Sequence, residues 1–187
     1  MQTRIDQLEL GRLAVVAFDA AELAQHAAGR LAMRLLLPDG ASIGKTDRGA
    51  PELPAPWSGS ITHKPGLAAA LVAPAEHGHV GIDLEVATAR KIDIARRILT
   101  PREQAALPNR GEAVTLRFAI KEAVYKAIDP IVRRYVGFTE VELDVGDDGS
   151  CAVTIIDPAR LPVIVEARWR ELDGFWLASA RALRTSP

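Results

Sequence analysis

Apolar and polar positions alternate, cluster and break along the chain in a way that predicts short strands interrupted by a few helices. Arg12 to Phe18 is apolar, with Val15 and Val16 at its centre, and reads as a strand. Asp19 then offers a cap, and Glu22 stands at the third position of a capping box, so an Ala/Leu-rich helix is expected from Asp19 to about Leu36. Pro38-Asp39-Gly40 stops it, and the proline- and glycine-dense stretch 38–59 predicts a stiff, extended loop. Residues 58–63 and 67–73 read as strands around a turn at Lys64-Pro65-Gly66, and Val80 to Val86 as another. Residues 91–99 and 101–107 are predicted helical, the second opened by Thr100, Pro101 and Glu103. Glu112 to Ile128 is the longest helical pattern, with Asp129-Pro130 as its expected end. Short strands near 138–145, 151–156, 163–170 and 174–182 follow, separated by turn signals.

Strand–helix–strands is thus followed by strand–helices–strands. Hairpin-linked strands with segregated helices indicate an α+β fold rather than a parallel sheet. The two halves, 1–79 and 80–187, are similar in layout and are expected to form one compact unit.

Composition narrows the function classes. With 48% hydrophobic and 25% charged residues, the 187-residue chain is that of an ordinary globular protein. A net charge of -1 argues against a general nucleic-acid binder. The single cysteine, Cys151, excludes an intramolecular disulfide and a cysteine-based zinc site. The acidic and basic residues of the first turnover of chain, Arg4, Asp6 and Glu9, argue against a signal peptide, and no apolar run reaches a bilayer's width, so the cytoplasm is the expected home.

Three segments carry candidate chemistry. In Gly81-Ile82-Asp83-Leu84-Glu85, Asp83 and Glu85 share one strand face, about 7 Å apart along the chain. Two such carboxylates either line a solvated face or hold a cation, and Mg²⁺ characteristically takes one or two carboxylates plus phosphate oxygens. In Lys121-Glu122-Ala123-Val124-Tyr125-Lys126, Glu122 and Lys126 are four apart on one helix face: a surface ion pair, or a functional pair. Two of only five lysines sit here, and a compact ammonium suits phosphate. In Ser60-Ile61-Thr62-His63, the histidine closes a strand beside a turn, where it is either held by the backbone or free to meet a phosphate. Arg30 and Arg48 lie upstream and add guanidinium groups. His77 and His79 flank Gly78 without a third ligand and read as solvent-exposed.

Taken in order, Gly-Ser-Ile-Thr-His at 59–63, Gly-Ile-Asp-Leu-Glu at 81–85 and Phe-Ala-Ile-Lys-Glu-Ala-Val-Tyr-Lys at 118–126 resemble the 4'-phosphopantetheinyl transferases of the surfactin-synthetase type, including the enterobactin-synthetase-component-D-like branch. The likeness runs from Gly29 to Val145 and takes in Arg48-Gly49 and Val136-Gly137-Phe138. It implies a pseudo-dimer of two similar α+β halves with coenzyme A in the cleft between them. It implies transfer of the 4'-phosphopantetheine arm to a serine of an apo acyl or peptidyl carrier protein, with release of adenosine 3',5'-bisphosphate. Mg²⁺, or Mn²⁺ in its place, is the implied metal, on Asp83, Glu85 and Glu122. By the same likeness Lys121 and Lys126 contact phosphates, and Thr62 and His63 meet the 3'-phosphate. Arg30, Arg48 and Gly49 then hold the nucleotide end.

Glu122, Lys126 and Asp83 are the expected catalytic residues. Attack on a pyrophosphate needs charge neutralisation more than covalent help, and Glu122 is the candidate base for the serine hydroxyl. Three positions depart from the family pattern: Glu22 stands where a basic residue is common, Lys64 where a small residue is, and Asp129-Pro130-Ile131 where Phe-Pro-Leu is. The competing expectation is a non-catalytic module that binds coenzyme A or a nucleotide. A monomer with no nucleic-acid partner and no membrane span is expected.

Overall fold

The computed structural model describes residues 1–19, 21, 23–107 and 111–185. It opens with a hairpin of β1 (Gln2–Leu8) and β2 (Gly11–Ala17), followed by α1 (Gln25–Arg34). The proline-rich stretch holds a two-residue ladder of β3 (Gly44–Lys45) and β4 (Pro51–Glu52). The turn at Lys64-Pro65-Gly66 joins β5 (Trp57–Lys64) to β6 (Leu67–Pro74), and Gly66 takes the left-handed φ of 85° that the turn requires. Next come β7 (His79–Val86), the short helices α2 (Ala95–Ile98) and α3 (Pro101–Ala106), and the long α4 (Gly111–Val132). Four strands complete the chain: β8 (Val141–Val145), β9 (Ser150–Ile155), β10 (Val163–Leu172) and β11 (Phe175–Arg184).

The strands form an antiparallel sheet of order β1-β2-β6-β5 and a second of order β7-β11-β10-β9-β8. Alternation along the strands assigns each sheet two apolar faces. Ala14, Val16, Ala68 and Ala70 meet Ala28, Ala32 and Met33 of α1. Ala167, Ala178 and Ala180 meet Ile120, Ala123, Val124 and Ala127 of α4. The opposite faces meet each other, with Leu13, Val15, Ala69 and Leu71 of the first sheet on Ile82, Leu84 and Leu177 of the second. The layers run helix, sheet, sheet, helix, an α+β architecture.

At their common edge the sheets are joined by side chains. Ser58, Ser60 and Thr62 of β5 accept the backbone N–H groups of Val80, Ile82 and Leu84 of β7 at 3.1–3.2 Å. The constant offset of 22 residues means that β5 and β7 run in the same direction. Three such bonds contribute about 0.5–1.5 kcal/mol each, whereas each fully buried leucine or isoleucine of the inter-sheet core contributes about 1.5–3 kcal/mol. The apolar layer therefore holds the halves together, and the hydroxyl ladder sets their register.

Several expectations are corrected. β1 is a strand that no expectation covers; it is an edge strand with most of its residues exposed, so no apolar periodicity marks it. Asp19 shapes a turn rather than a helix start, with its Oδ1 accepting the Ala21 N–H at 2.8 Å, and the helix proper begins at Gln25. Glu22 lies outside the described residues. Only Ala95–Ile98 of the expected helix 91–99 is helical. The Thr100–Glu103 capping box forms in both directions. α4 does not end at Asp129-Pro130 but runs to Val132, where Arg133, at φ 50°, donates its N–H to the Asp129 carbonyl. Pro130 stands inside the last turn, where it forgoes the one N–H bond to the carbonyl four residues earlier but leaves only two more residues of helix to carry.

Candidate active site

β7 delivers its two acids to the face opposite the inter-sheet core. Ile82 and Leu84 point into that core, so Asp83 and Glu85 point towards α4 and its Glu122 and Lys126. Gly81 permits this approach. A Cβ there would lie 2.0 Å from the Ala123 carbonyl oxygen and 2.7 Å from the Ala127 nitrogen. Neither acid is solvated: Asp83 is 6% and Glu85 8% exposed. Asp83 Oδ1 accepts from Lys126 Nζ at 2.7 Å and from Thr62 Oγ1 at 3.1 Å, while its buried Oδ2 has no hydrogen-bond partner. Glu85 faces Lys64 Nζ at 2.8 Å and Arg90 Nη1 at 3.3 Å. Burial raises the Glu122 carboxyl above the ordinary glutamate range, and the charge of Asp83 adds to it. Lys126 opposes the rise, Glu85 reinforces it and Lys64 opposes it.

The donors here are carboxylate oxygens, the kind a hard divalent cation takes. Three carboxylates of mutually unfavourable charge and one buried oxygen without a donor are what a cation would satisfy. Among the described residues, however, no group of three or more histidine, cysteine, aspartate or glutamate side chains is placed to hold a metal ion. Lysine ammonium groups neutralise Asp83 and Glu85 instead, so a cation would enter with a shift of Lys64 or Lys126. Lys126 donates to Asp83 and to the Ile82 carbonyl at 2.9 Å, which leaves the third of its protons for a phosphate oxygen.

Lys121 was expected beside Lys126 as a phosphate contact, and its position corrects this. Its side chain is fully buried, and Nζ donates to Glu103 Oε2 and the Ile98 carbonyl at 2.7 Å, and lies 2.9 and 3.0 Å from the Phe138 and Val141 carbonyls. With every proton engaged by α2, α3 and residues 138–141, the side chain ties these segments to α4 and has no proton left for a ligand. Thr62 is corrected likewise. It is buried, and its hydroxyl faces β7 and Asp83 rather than any open surface.

Beside the acids a cleft of about 680 Å³ opens between α1, the β3–β4 ladder, β5 and α4. Arg30, Arg48, Gly49, His63 and Lys126, all singled out in the sequence, line it. His63 Nδ1 lies 3.1 Å from Gln25 Oε1, and its Nε2 3.2 Å from His26 Nδ1. Burial, followed by the charges of His26 and Lys126, holds the His63 imidazole below its usual pKa. Arg30 donates to the Ile43 carbonyl. Arg48 forms a forked pair with Asp129, at 2.9 Å from Nε to each carboxylate oxygen, which favours its charged form still further. Gly49 turns the β3–β4 loop with φ 88°.

Other lining residues were missed. His26 lies one turn before Arg30 on the same face of α1, a spacing that was available as a signal. His79 was expected in solvent but is partly buried on the cleft wall, which lowers its imidazole pKa. His77 is exposed beside Glu76. Trp57 and Tyr125 add aromatic surface. No helix among the described residues is long and apolar enough to cross a membrane.

Comparison with known proteins adds an independent finding. Residues 79–177 match the family model of the 4'-phosphopantetheinyl transferase superfamily, and residues 22–73 that of the 4'-phosphopantetheinyl transferase N-terminal domain. The chain is 32% identical over 174 residues to the 4'-phosphopantetheinyl transferase Npt of Nocardia iowensis, covering 83% of this chain and 78% of that protein. It is 32% identical over 126 residues to the 4'-phosphopantetheinyl transferase PptT of Mycobacterium tuberculosis, covering 65% and 56% respectively. Among solved structures, the Chronobacterium ammoniagenes ACPS-CoA complex is similar at a TM-score of 0.44 and 19% identity, over 57% of this chain and 97% of that one.

Proposed function

This chain belongs to the 4'-phosphopantetheinyl transferase superfamily and is an enzyme of that class, and from that premise we propose that it transfers the 4'-phosphopantetheine arm of coenzyme A to a serine of an apo acyl or peptidyl carrier protein. The observation that carries this reading is the junction of Asp83 and Glu122 with Lys126, the member of the three that lines the cleft, with Asp83 Oδ2 buried and unpartnered.

Each residue has a role in the proposal. Asp83, Glu85 and Glu122 would hold Mg²⁺, or Mn²⁺, which when bound supplies charge neutralisation at the diphosphate. His63, Arg30, Arg48 and the Gly49 turn bind the 3'-phosphate and nucleotide end along the cleft wall. Glu122 takes the proton of the carrier serine hydroxyl, for which its raised pKa suits it. The serine oxygen bonds to the phosphorus that bears the pantetheine arm, and the bond from that phosphorus to the bridging oxygen breaks. Adenosine 3',5'-bisphosphate departs with the bond's electron pair, its charge met by the free donor of Lys126. The halves 1–79 and 80–187 act as one unit on either side of the cleft, in a cytoplasmic monomer.

Incubation with an apo carrier protein, coenzyme A and Mg²⁺, read by intact mass, tests the reading. The carrier gains one phosphopantetheine arm, and a chelator prevents the gain. Glu85, with a cation on each side, favours a second reading: a module that binds coenzyme A without chemistry. Bound coenzyme A with no carrier mass gain would select it.

A further inference from the structure

Thr62 does something different from the phosphate contact that its place before His63 suggests. Its Oγ1 accepts the Leu84 N–H at 3.2 Å, and a backbone N–H only donates. The single hydroxyl proton is therefore directed to Asp83 Oδ1 at 3.1 Å. Nothing remains to donate to a phosphate, and the residue is 5% exposed.

Ser58 and Ser60 make the same backbone bond to β7, and Thr62 is the rung of the ladder that also reaches a site carboxylate. Both donors to Asp83, Thr62 and Lys126, lie on Oδ1. They leave Oδ2 buried and without a donor. The two donors also differ in kind. Lys126 is a flexible side chain at the cleft, partly exposed, and would move to meet a phosphate. Thr62 is β-branched, stiff at χ1 and anchored by the Leu84 amide.

We infer that Thr62 is a positioning residue: its hydroxyl, anchored on the Leu84 amide, holds Asp83 by Oδ1 so that Oδ2 is presented to the metal. This rests on Asp83 being a metal ligand, as proposed above. Hydrogen-bond partners of metal ligands typically change metal affinity by about 10–100-fold when removed.

The test is a Mn²⁺ titration followed by electron paramagnetic resonance with coenzyme A present, beside a coenzyme A titration by calorimetry in chelator. Wild type, Thr62→Val and Thr62→Ser are compared after circular dichroism confirms folding. Thr62→Val is expected to weaken Mn²⁺ binding by about tenfold or more, with metal-free coenzyme A affinity unchanged. Thr62→Ser, which keeps the hydroxyl, restores most of the Mn²⁺ affinity. Undiminished Mn²⁺ binding in folded Thr62→Val overturns the inference, as does a loss of coenzyme A affinity in chelator, which would make Thr62 a phosphate contact. Absence of Mn²⁺ binding in wild type overturns the metal reading itself, and is seen without any variant. Should Thr62→Val fail to fold, Thr62→Ala against Thr62→Ser carries the same comparison.

Discussion

Lys126 on α4 and Asp83 on β7, 43 residues apart in the chain, meet at 2.7 Å, Nζ to Oδ1. The pair closes the seam between helix and strand with the same two side chains that would handle phosphate and metal. Asp83→Asn keeps the shape and an acceptor oxygen for Lys126 but removes the charge. Transfer to an apo carrier should be abolished while circular dichroism remains that of wild type. Normal turnover in the folded variant would remove Asp83 from the site.

Glu122→Gln tests the base. The change is nearly isosteric, and proton removal by a positioned base is worth about 10²–10⁴-fold, so the single-turnover rate should fall by that order. The stability effect has a definite sign. The folded-state pKa is raised above the unfolded one, so Glu122's contribution is present at low pH and lost as pH rises through the folded value. At neutral pH the Gln variant should unfold at or above the wild-type midpoint without ligand. Unchanged transfer would return Glu122 to an ordinary neighbour of Lys126.

His63 sets a second pH dependence. Its folded pKa is lowered from 6.5, so the stability it contributes is present above that value and lost as pH falls through the folded one. His63→Gln should lose this acid sensitivity in thermal unfolding below about pH 6.5. A phosphate beside the ring favours the imidazolium, so coenzyme A binding at pH 7 should take up a proton. Calorimetry in two buffers of different ionisation heat measures it. Zero uptake would place the 3'-phosphate elsewhere.

Lys121→Met separates structure from ligand contact. Removing one partner of a buried pair costs about 3–5 kcal/mol, here with Glu103 left uncompensated. Denaturant unfolding should show a loss of that order, while the folded protein binds coenzyme A with wild-type affinity. Weaker binding without a stability loss would restore Lys121 as a phosphate contact.

Gly81→Ala and Gly111→Ala should differ. At Gly81 the new methyl meets helix backbone, and overpacking of this kind costs about 1–3 kcal/mol, sometimes more. It should also displace α4 and with it Glu122 and Lys126, so transfer falls. At Gly111, in the first turn of α4, the nearest atom is Ala89 Cβ at 4.0 Å, an ordinary contact. Equal losses in urea melts would contradict the close approach of α4.

How far the sequence could be read depends on where each residue's partners lie. The α4 pattern was legible because a long apolar stripe needs only local periodicity. The β1 strand was not, since an exposed edge strand has no buried face to write into the sequence. Asp83 and Glu85 were correctly set on one strand face, but their burial under α4 depended on Gly81, whose role emerges only with the helix in place. Lys121 misled because its phosphate role came from the resemblance and not from its place on the helix. Neighbouring helical residues point about 100° apart, and Val124 and Ile128, three and seven residues on, are buried. That spacing already placed Lys121 on the apolar side. His79 misled because a turn histidine looks solvated until β5 and α4 close beside it.

The seam of hydroxyls between β5 and β7 works as a ruler. Ser58, Ser60 and Thr62 mark every second residue, the same interval at which β7 turns an amide towards them. A slip of one residue would offer Gly59 and Ile61, neither of which has a side-chain acceptor, and a slip of two would strand a hydroxyl. The apolar layer behind tolerates many alignments, but the ruler reads true in one. In that alignment the cleft wall carrying His63 and the strand carrying Asp83 come into phase.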